Sequence, residues 1–162
     1  ASPCGVRGNA SRGAVSTTSP FEGAHDPLVI EAAMLAGFPD ALHEGQAVFE
    51  RTGGLHAAAL FDGTTGEMLV VREDVGRHNA LDKMVGALAR RGQRFDGGFV
   101  LMTSRASYEI VQKAAAAGIA VVAAVSAPTG MAVRVAVESG VTLIGFARGE
   151  RHCVYSHPQR IH

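Results

Sequence analysis

Four short stretches concentrate side chains able to bind or move charged groups. The richest is Arg72-Glu73-Asp74-Val75-Gly76-Arg77-His78-Asn79, which runs on to Asp82 and Lys83. It packs two guanidiniums, an imidazole, an amide and two carboxylates into one short stretch. Gly76 lets the backbone turn closely, and a helix starting after it would offer free N–H groups to an anion. Arg77 and His78 could then add charge-assisted bonds to a phosphate. The same residues also fit a capped helix with solvated charges, and spacing does not separate the two. A second stretch, Thr103-Ser104-Arg105-Ala106-Ser107-Tyr108-Glu109, joins hydroxyls and a guanidinium to another expected helix start. Ser104 there fits an N-cap with Ser107 in the first turn, whereas capping has no need of Arg105. The third, Ser126-Ala127-Pro128-Thr129-Gly130, sets Ser126 and Thr129 between an apolar run and a helix. The fourth holds Phe146, Ala147, Arg148, Gly149, Glu150 and Arg151, whose guanidiniums could clamp phosphates while the ring stacks on a base. Gly53-Gly54-Leu55-His56 adds one histidine, either a ligand contact or a half-buried side chain satisfied locally.

Positioning these residues requires strands that end in helices. The pattern predicts a helix with Asp26 as N-cap and Pro27 at its first position, carrying Leu28, Ala32 and Leu35 on one face until Gly37. A second short helix is expected over 39–49, then a hairpin of 55–61 and 67–72 around Asp62-Gly63-Thr64-Thr65-Gly66. Helices over 77–91, 106–117 and 128–139 then alternate with apolar strands over 97–103, 119–125 and 141–147. An edge strand is expected over 152–156. The fold class is therefore α/β, a mixed sheet with helices on both faces and right-handed crossovers. Ligands of such sheets bind at the carboxyl ends of the strands, where the polar stretches fall. Residues 1–23, with Gly5, Gly8, Gly13 and a Ser/Thr cluster, read as a flexible loop carrying Cys4. Residues 24–162 read as one α/β domain with a rim suited to a phosphate or nucleotide.

Composition narrows the function classes. The 162 residues carry 15 basic and 15 acidic side chains, so the net charge is zero. That argues against broad electrostatic binding to nucleic acid or membrane and leaves room for a local basic pocket. No basic-then-apolar leader opens the sequence, and no run approaches a membrane span, so a cytoplasmic location is expected. The dinucleotide glycine fingerprint, the phosphate loop and the nucleophile elbow are all missing from the sequence. The two cysteines, Cys4 and Cys153, supply no Cys-x-x-Cys pair, so a metal site of the deaminase type is not expected. Cys153 is expected to pack as a small hydrophobe.

The run Val71-Arg72-Glu73-Asp74-Val75-Gly76-Arg77-His78-Asn79-Ala80-Leu81-Asp82-Lys83 resembles the signature of the formate dehydrogenase accessory sulfurtransferase family, FdhD. Supporting stretches are similar in order: Thr52-Gly53-Gly54-Leu55-His56-Ala57-Ala58, then Ser104-Arg105-Ala106-Ser107-Tyr108-Glu109, Ser126-Ala127-Pro128-Thr129 and Phe146-Ala147-Arg148-Gly149. Val154-Tyr155-Ser156-His157-Pro158 completes the set. The resemblance implies a cytidine-deaminase-like three-layer fold, homodimers, and a persulfide taken from a cysteine desulfurase. It implies that the sulfur passes to a molybdenum bis(molybdopterin guanine dinucleotide) cofactor destined for formate dehydrogenase. It also places the family's cofactor-binding segment on residues 146–151, and so makes 24–162 a cofactor-binding domain. The family's persulfide cysteine sits in a Cys-Gly-x-Cys-Gly loop, matched here by Cys4-Gly5-Val6-Arg7-Gly8. Arg7 replaces the second cysteine, which removes a local dithiol and puts a cation where it could lower the thiol pKa. Cys4 is thus the expected sulfur carrier, and GDP, a mimic of the cofactor's tail, is expected to bind through Arg77, His78, Arg105 and Arg148. Family members carry a segment before the cysteine loop, so this sequence corresponds to their C-terminal part. Two alternatives remain at this stage: a cofactor-binding chaperone that transfers no sulfur itself, and a nucleotide-modifying enzyme on the deaminase-like scaffold.

Overall fold

The apolar runs pair into one six-stranded sheet in a computed structural model that describes residues 27–93 and 95–162. The cysteine-bearing loop over 1–23, with Cys4 and Arg7, lies outside the described residues, as does Asp26. Two strands form the hairpin, β1 (His56–Asp62) and β2 (Met68–Asp74). Asp62 closes it, its Oδ1 accepting the N–H groups of Thr64 at 2.9 Å and Thr65 at 2.7 Å. Those two donors hold the Asp62 carboxyl below its ordinary pKa.

Three parallel strands follow: β3 (Gly98–Met102), β4 (Val121–Ala124) and β5 (Thr142–Arg148), and then the antiparallel edge strand β6 (Arg151–Ser156). The strand order is β2-β1-β3-β4-β5-β6. Every residue of β3 and β4 is buried, which explains why their sequences lack polar alternation. Their connections are helices α4 (Arg77–Arg90), α5 (Tyr108–Ala116) and α6 (Gly130–Glu138). These cover one face, packing Leu81, Met84, Leu88 and Ile110 onto Leu60, Val100 and Val122. The opposite face carries α1 (Ala32–Leu35) and α2 (Phe38–Glu44), with α3 (Phe49–Thr52) following. Phe38 sits 4.8 Å from the Phe61 ring and 4.7 Å from Phe99, which stack at 5.4 Å. The result is the three-layer arrangement with helices on both faces of a mixed sheet.

Two expectations near the start need correction. Leu28 to Glu31 is not helical: Ile30 pairs in parallel with Ile161, donating to Arg160 O at 2.8 Å and accepting from His162 N at 3.1 Å. Ile30 is fully buried there, so tertiary pairing overrides the local helical spacing. The helix expected over 39–49 also divides, stopping at Gly45 and restarting at Phe49. A Cβ at Gly45 would come within 2.8 Å of Met68 Cε and 3.4 Å of Val71 Cγ1, so the chain passes close against β2 where the helix stops.

Candidate functional site

Strand polarity gathers the polar stretches at one end of the sheet. Because β1 runs antiparallel to β3, its first residues lie beside the carboxyl end of β3, with Ala58 opposite Met102. Because β2 runs antiparallel to β1, Asp74 lies opposite His56. Met102 is opposite Ala124, and at the far side Arg148 is opposite Arg151. Cross-bonds then tie each loop to the next. Thr103 Oγ1 accepts from Ala57 N at 2.8 Å, Thr129 N donates to Ala106 O at 3.0 Å, and Phe146 N donates to Ser126 O at 3.3 Å. Arg148 Nε donates to Val125 O at 2.9 Å. The stretches form one rim, from β2 to β5, about four strand spacings or roughly 19 Å long.

At the β2 end, the carboxylates build the scaffold. Asp74 Oδ1 accepts from Gly76 N at 2.9 Å and from Asn79 Nδ2 at 3.1 Å, while its Oδ2 lies 2.5 Å from Lys83 Nζ. The Lys83 bond and the Gly76 amide lower the Asp74 carboxyl to about 2. Glu73 reaches back to the other layer, accepting the N–H groups of Val48 at 2.9 Å and Phe49 at 2.8 Å, and so caps α3. Lys113, from α5, pairs with Asp82 at 2.5 Å. Glu73, Asp74, Asn79 and Lys83 thus stiffen the loop, as the capped-helix reading of this stretch expects.

Arg77 opens α4, whose N-cap is Gly76 and whose first turn holds no acid. The Arg77 Nε is buried without a hydrogen-bond partner among the described residues, and so is the hydroxyl of Ser107, a residue only 6% exposed. Ser107, not Ser104, is the N-cap residue of α5, and its side chain makes no cap bond. Ser104 Oγ instead donates to Arg105 O at 3.1 Å. Two helix starts with buried, unpaired donors and a guanidinium suit an oxyanion. Burial and the Arg77 charge push the pKa of His56 down. His78 is lowered for the same two reasons, opposed by Glu109 and Asp82. Tyr108 is raised by burial and by Glu109. Both imidazoles are therefore neutral at pH 7.

Toward β5 the rim is built differently. Thr129 caps α6, accepting from Ala132 N at 3.2 Å, and Ser126 anchors Phe146 through its carbonyl. The β5–β6 register slips between Gly145 and Arg148, and Phe146 adopts φ +53° within that bulge. The slip turns the Phe146 ring outward, 42% exposed, and keeps Ala147 buried. Arg148, Gly149, Glu150 and Arg151 are exposed at the turn that follows, as is Arg105 after β3. The structure therefore gathers Arg77, His78 and His56 at one end and Phe146, Arg148, Ser126 and Thr129 at the other, with Arg105 between.

Cys153 departs from expectation. It is an exposed free thiol, not a packed small hydrophobe, because Arg151, Cys153 and Tyr155 share the solvent face of an edge strand. The spacing missed a further feature, a cavity of about 560 Å³ bordering the rim at His56 and Thr103, with His43, Gln46 and Phe49 in its walls. Gly53-Gly54-Leu55-His56 marked its floor in the sequence, whereas nothing local marks Gln46. Among the described residues, no three His, Cys, Asp or Glu side chains cluster as metal ligands, and no helix is long and apolar enough to cross a membrane.

Comparison with known proteins matches the FdhD/NarQ family model over residues 1–162. The sulfur carrier protein FdhD of Mycobacterium tuberculosis is 53% identical over 161 residues, 99% of this chain and 58% of that protein. The corresponding protein of Xanthomonas euvesicatoria is 52% identical over 160 residues, 56% of its length. The chain thus spans somewhat over half of the curated relatives it matches. A formate dehydrogenase accessory protein from Desulfotalea psychrophila superposes with a TM-score of 0.77 at 30% identity, covering 83% of this chain and 60% of that one. A guanine deaminase from Nitrosomonas europaea, at 13% identity and a TM-score of 0.50, shares the fold alone.

Proposed function

The chain belongs to the FdhD/NarQ family, and on that premise we propose that it is the sulfur-carrying, cofactor-binding part of a formate dehydrogenase accessory protein. Cys4 accepts the outer sulfur of a persulfide on a cysteine desulfurase. The Cys4 thiolate attacks that sulfur, a new S–S bond forms, the donor S–S bond breaks, and the donor cysteine leaves as a thiolate. A two-electron reductant of the thiol class then breaks the S–S bond of the Cys4 persulfide, Cys4 leaves as a thiolate, and the sulfur passes at the sulfide level to the molybdenum bis(molybdopterin guanine dinucleotide) substrate held along the rim, which goes on to formate dehydrogenase. The protein works in the cytoplasm as a homodimer.

The observation that carries this reading is the pair of buried donors without partners among the described residues, Arg77 Nε and Ser107 Oγ, at the starts of α4 and α5. Leaving such groups unpaired costs about 1–3 kcal/mol each, which a bound phosphate oxygen recovers. Arg105 and Arg148 add cations along the same rim and His78 adds an imidazole, and the Phe146, Ala147, Arg148, Gly149, Glu150 and Arg151 turn supplies its far end. The names of the relatives, sulfur carrier proteins, and the retention of Cys4-Gly5 support the transfer.

Mass spectrometry after incubation with a desulfurase and cysteine tests the carrier role. Intact protein should gain the mass of one sulfur atom, and Cys4→Ser should not. Calorimetry tests the rim, with GDP expected to bind both proteins equally. Sulfur uptake by Cys4→Ser would end the assignment to Cys4. GDP binding without sulfur uptake by the intact protein would favour a chaperone that transfers no sulfur.

A further inference from the structure

Two carboxylates, Glu73 and Asp74, stand just before the helix start that a phosphate would approach, where uncancelled negative charge repels an anion. Glu73 is turned toward the other layer, both its oxygens accepting backbone N–H groups of Val48 and Phe49. Asp74 stays at the helix start. Its Oδ1 lies 2.9 Å from the N of Gly76, the N-cap residue of α4, and would lie 3.6 Å from a Cβ added there. The Lys83 bond and the Gly76 amide keep its carboxyl at about 2, so it is ionised at neutral pH.

Lys83, in the second turn of α4, meets that charge. Its ammonium lies 2.5 Å from Asp74 Oδ2 and donates to Glu73 O at 3.1 Å. The carboxylate is thus divided: Oδ1 takes the neutral donors Gly76 N and Asn79 Nδ2, and Oδ2 takes the cation. Fixing the turn into α4 needs an acceptor at Oδ1 and not a charge, since an amide oxygen accepts the same bonds. A pair whose lysine side chain is 52% exposed also adds little to folding. What the lysine supplies at this place is cancellation of charge. Asp82 of α4 is matched in the same way by Lys113 of α5. The Arg77 Nε, by contrast, has no partner among the described residues, which leaves the helix start electropositive.

We propose that Lys83 is a specificity-determining residue for anions: it cancels the Asp74 charge, so the loop keeps its carboxylate brace while the start of α4 accepts a phosphate. This inference rests on the phosphate reading of the rim given above and assigns a role to a residue that does not itself touch the ligand.

Calorimetry of the full chain with inorganic pyrophosphate, at low and at high salt, tests it. Asp74→Asn keeps an oxygen for Gly76 and Asn79 and leaves the Lys83 ammonium uncancelled. It should bind pyrophosphate about threefold to tenfold more tightly than the intact chain at low salt. Lys83→Met, of similar length, should bind about threefold to tenfold more weakly. The double variant should return to the affinity of the intact chain, and Lys83→Arg should match it. These differences should shrink at high salt, because they arise from charge. A loop held only by its bonds gives another pattern, in which every variant weakens binding equally at both salts. Weaker or unchanged binding by Asp74→Asn, or a double variant no better than Lys83→Met, overturns the inference and leaves the phosphate reading standing. Failure of the intact chain to bind pyrophosphate overturns both.

Discussion

Among single residues, Arg77 and the two histidines beside it decide how the site responds to substitution and to pH. Arg77 brings to the first turn of α4 a buried Nε that is unpaired among the described residues. Arg77→Gln removes a charge-assisted bond worth about 1.5–3 kcal/mol, so GDP affinity should fall about 10- to 100-fold in calorimetry. Lysine should restore little of it, since a point charge does not replace a planar fork. His56 and His78 both have lowered pKa values, chiefly from burial and next from Arg77. The unfolded chain therefore binds protons first as pH falls below the ordinary 6.5, and folding stability declines from there toward the lower native values. A bound phosphate favours the protonated imidazole, so GDP affinity should rise over the same interval. Urea midpoints and GDP titrations at pH 8 and pH 6 should move in opposite directions, and parallel movement would remove the histidines from the site.

At the level of elements, the loop after β2 holds parts of both helical layers. Glu73 caps α3 on one face while Asp74 and Lys83 brace the start of α4 on the other. Glu73→Ala should cost about 0.5–2 kcal/mol, the usual loss of an N-cap. Hydrogen exchange should localise the effect, with the Val48 and Phe49 amides losing protection while those of β3 keep theirs. The hairpin, α4 and the three crossover strands were readable from periodicity and glycine stops, and their ends shift by only one or two residues in the structure. Leu28 to Glu31 misled because its apolar spacing is satisfied by a partner at Ile161, at the other end of the described chain. Cys153 misled because a short apolar-looking strand does not announce that it will be the sheet's edge.

For the molecule as a whole, the sheet is the rigid platform on which the rim depends. Phe99 is fully buried between Phe38 and Phe61, in the layer opposite α4 to α6. Phe99→Ala should lower stability by about 3–5 kcal/mol in urea unfolding. A variant that stays folded should still bind GDP, since Phe99 lies at the far end of β1, opposite Phe61, away from His56.

Composition, periodicity and the glycine stops settled the class of this protein: alternating elements around a buried sheet, a single rim of polar loops and a lone cysteine near the start. These features follow from contacts between near neighbours, so a local pattern carries them. The strand order is different in kind. It comes from pairings such as Ala58 with Met102 and Phe99 with Val121, which depend on burial shared between distant segments. That order puts His56 opposite Asp74, draws Arg77 and Ser107 to the same edge, and opens a cavity between α2, α3 and β1 around Gln46. The spacing around Gln46 does not reveal that its Nε2 will be buried without a partner among the described residues, because that depends on how α2, α3 and β1 pack together.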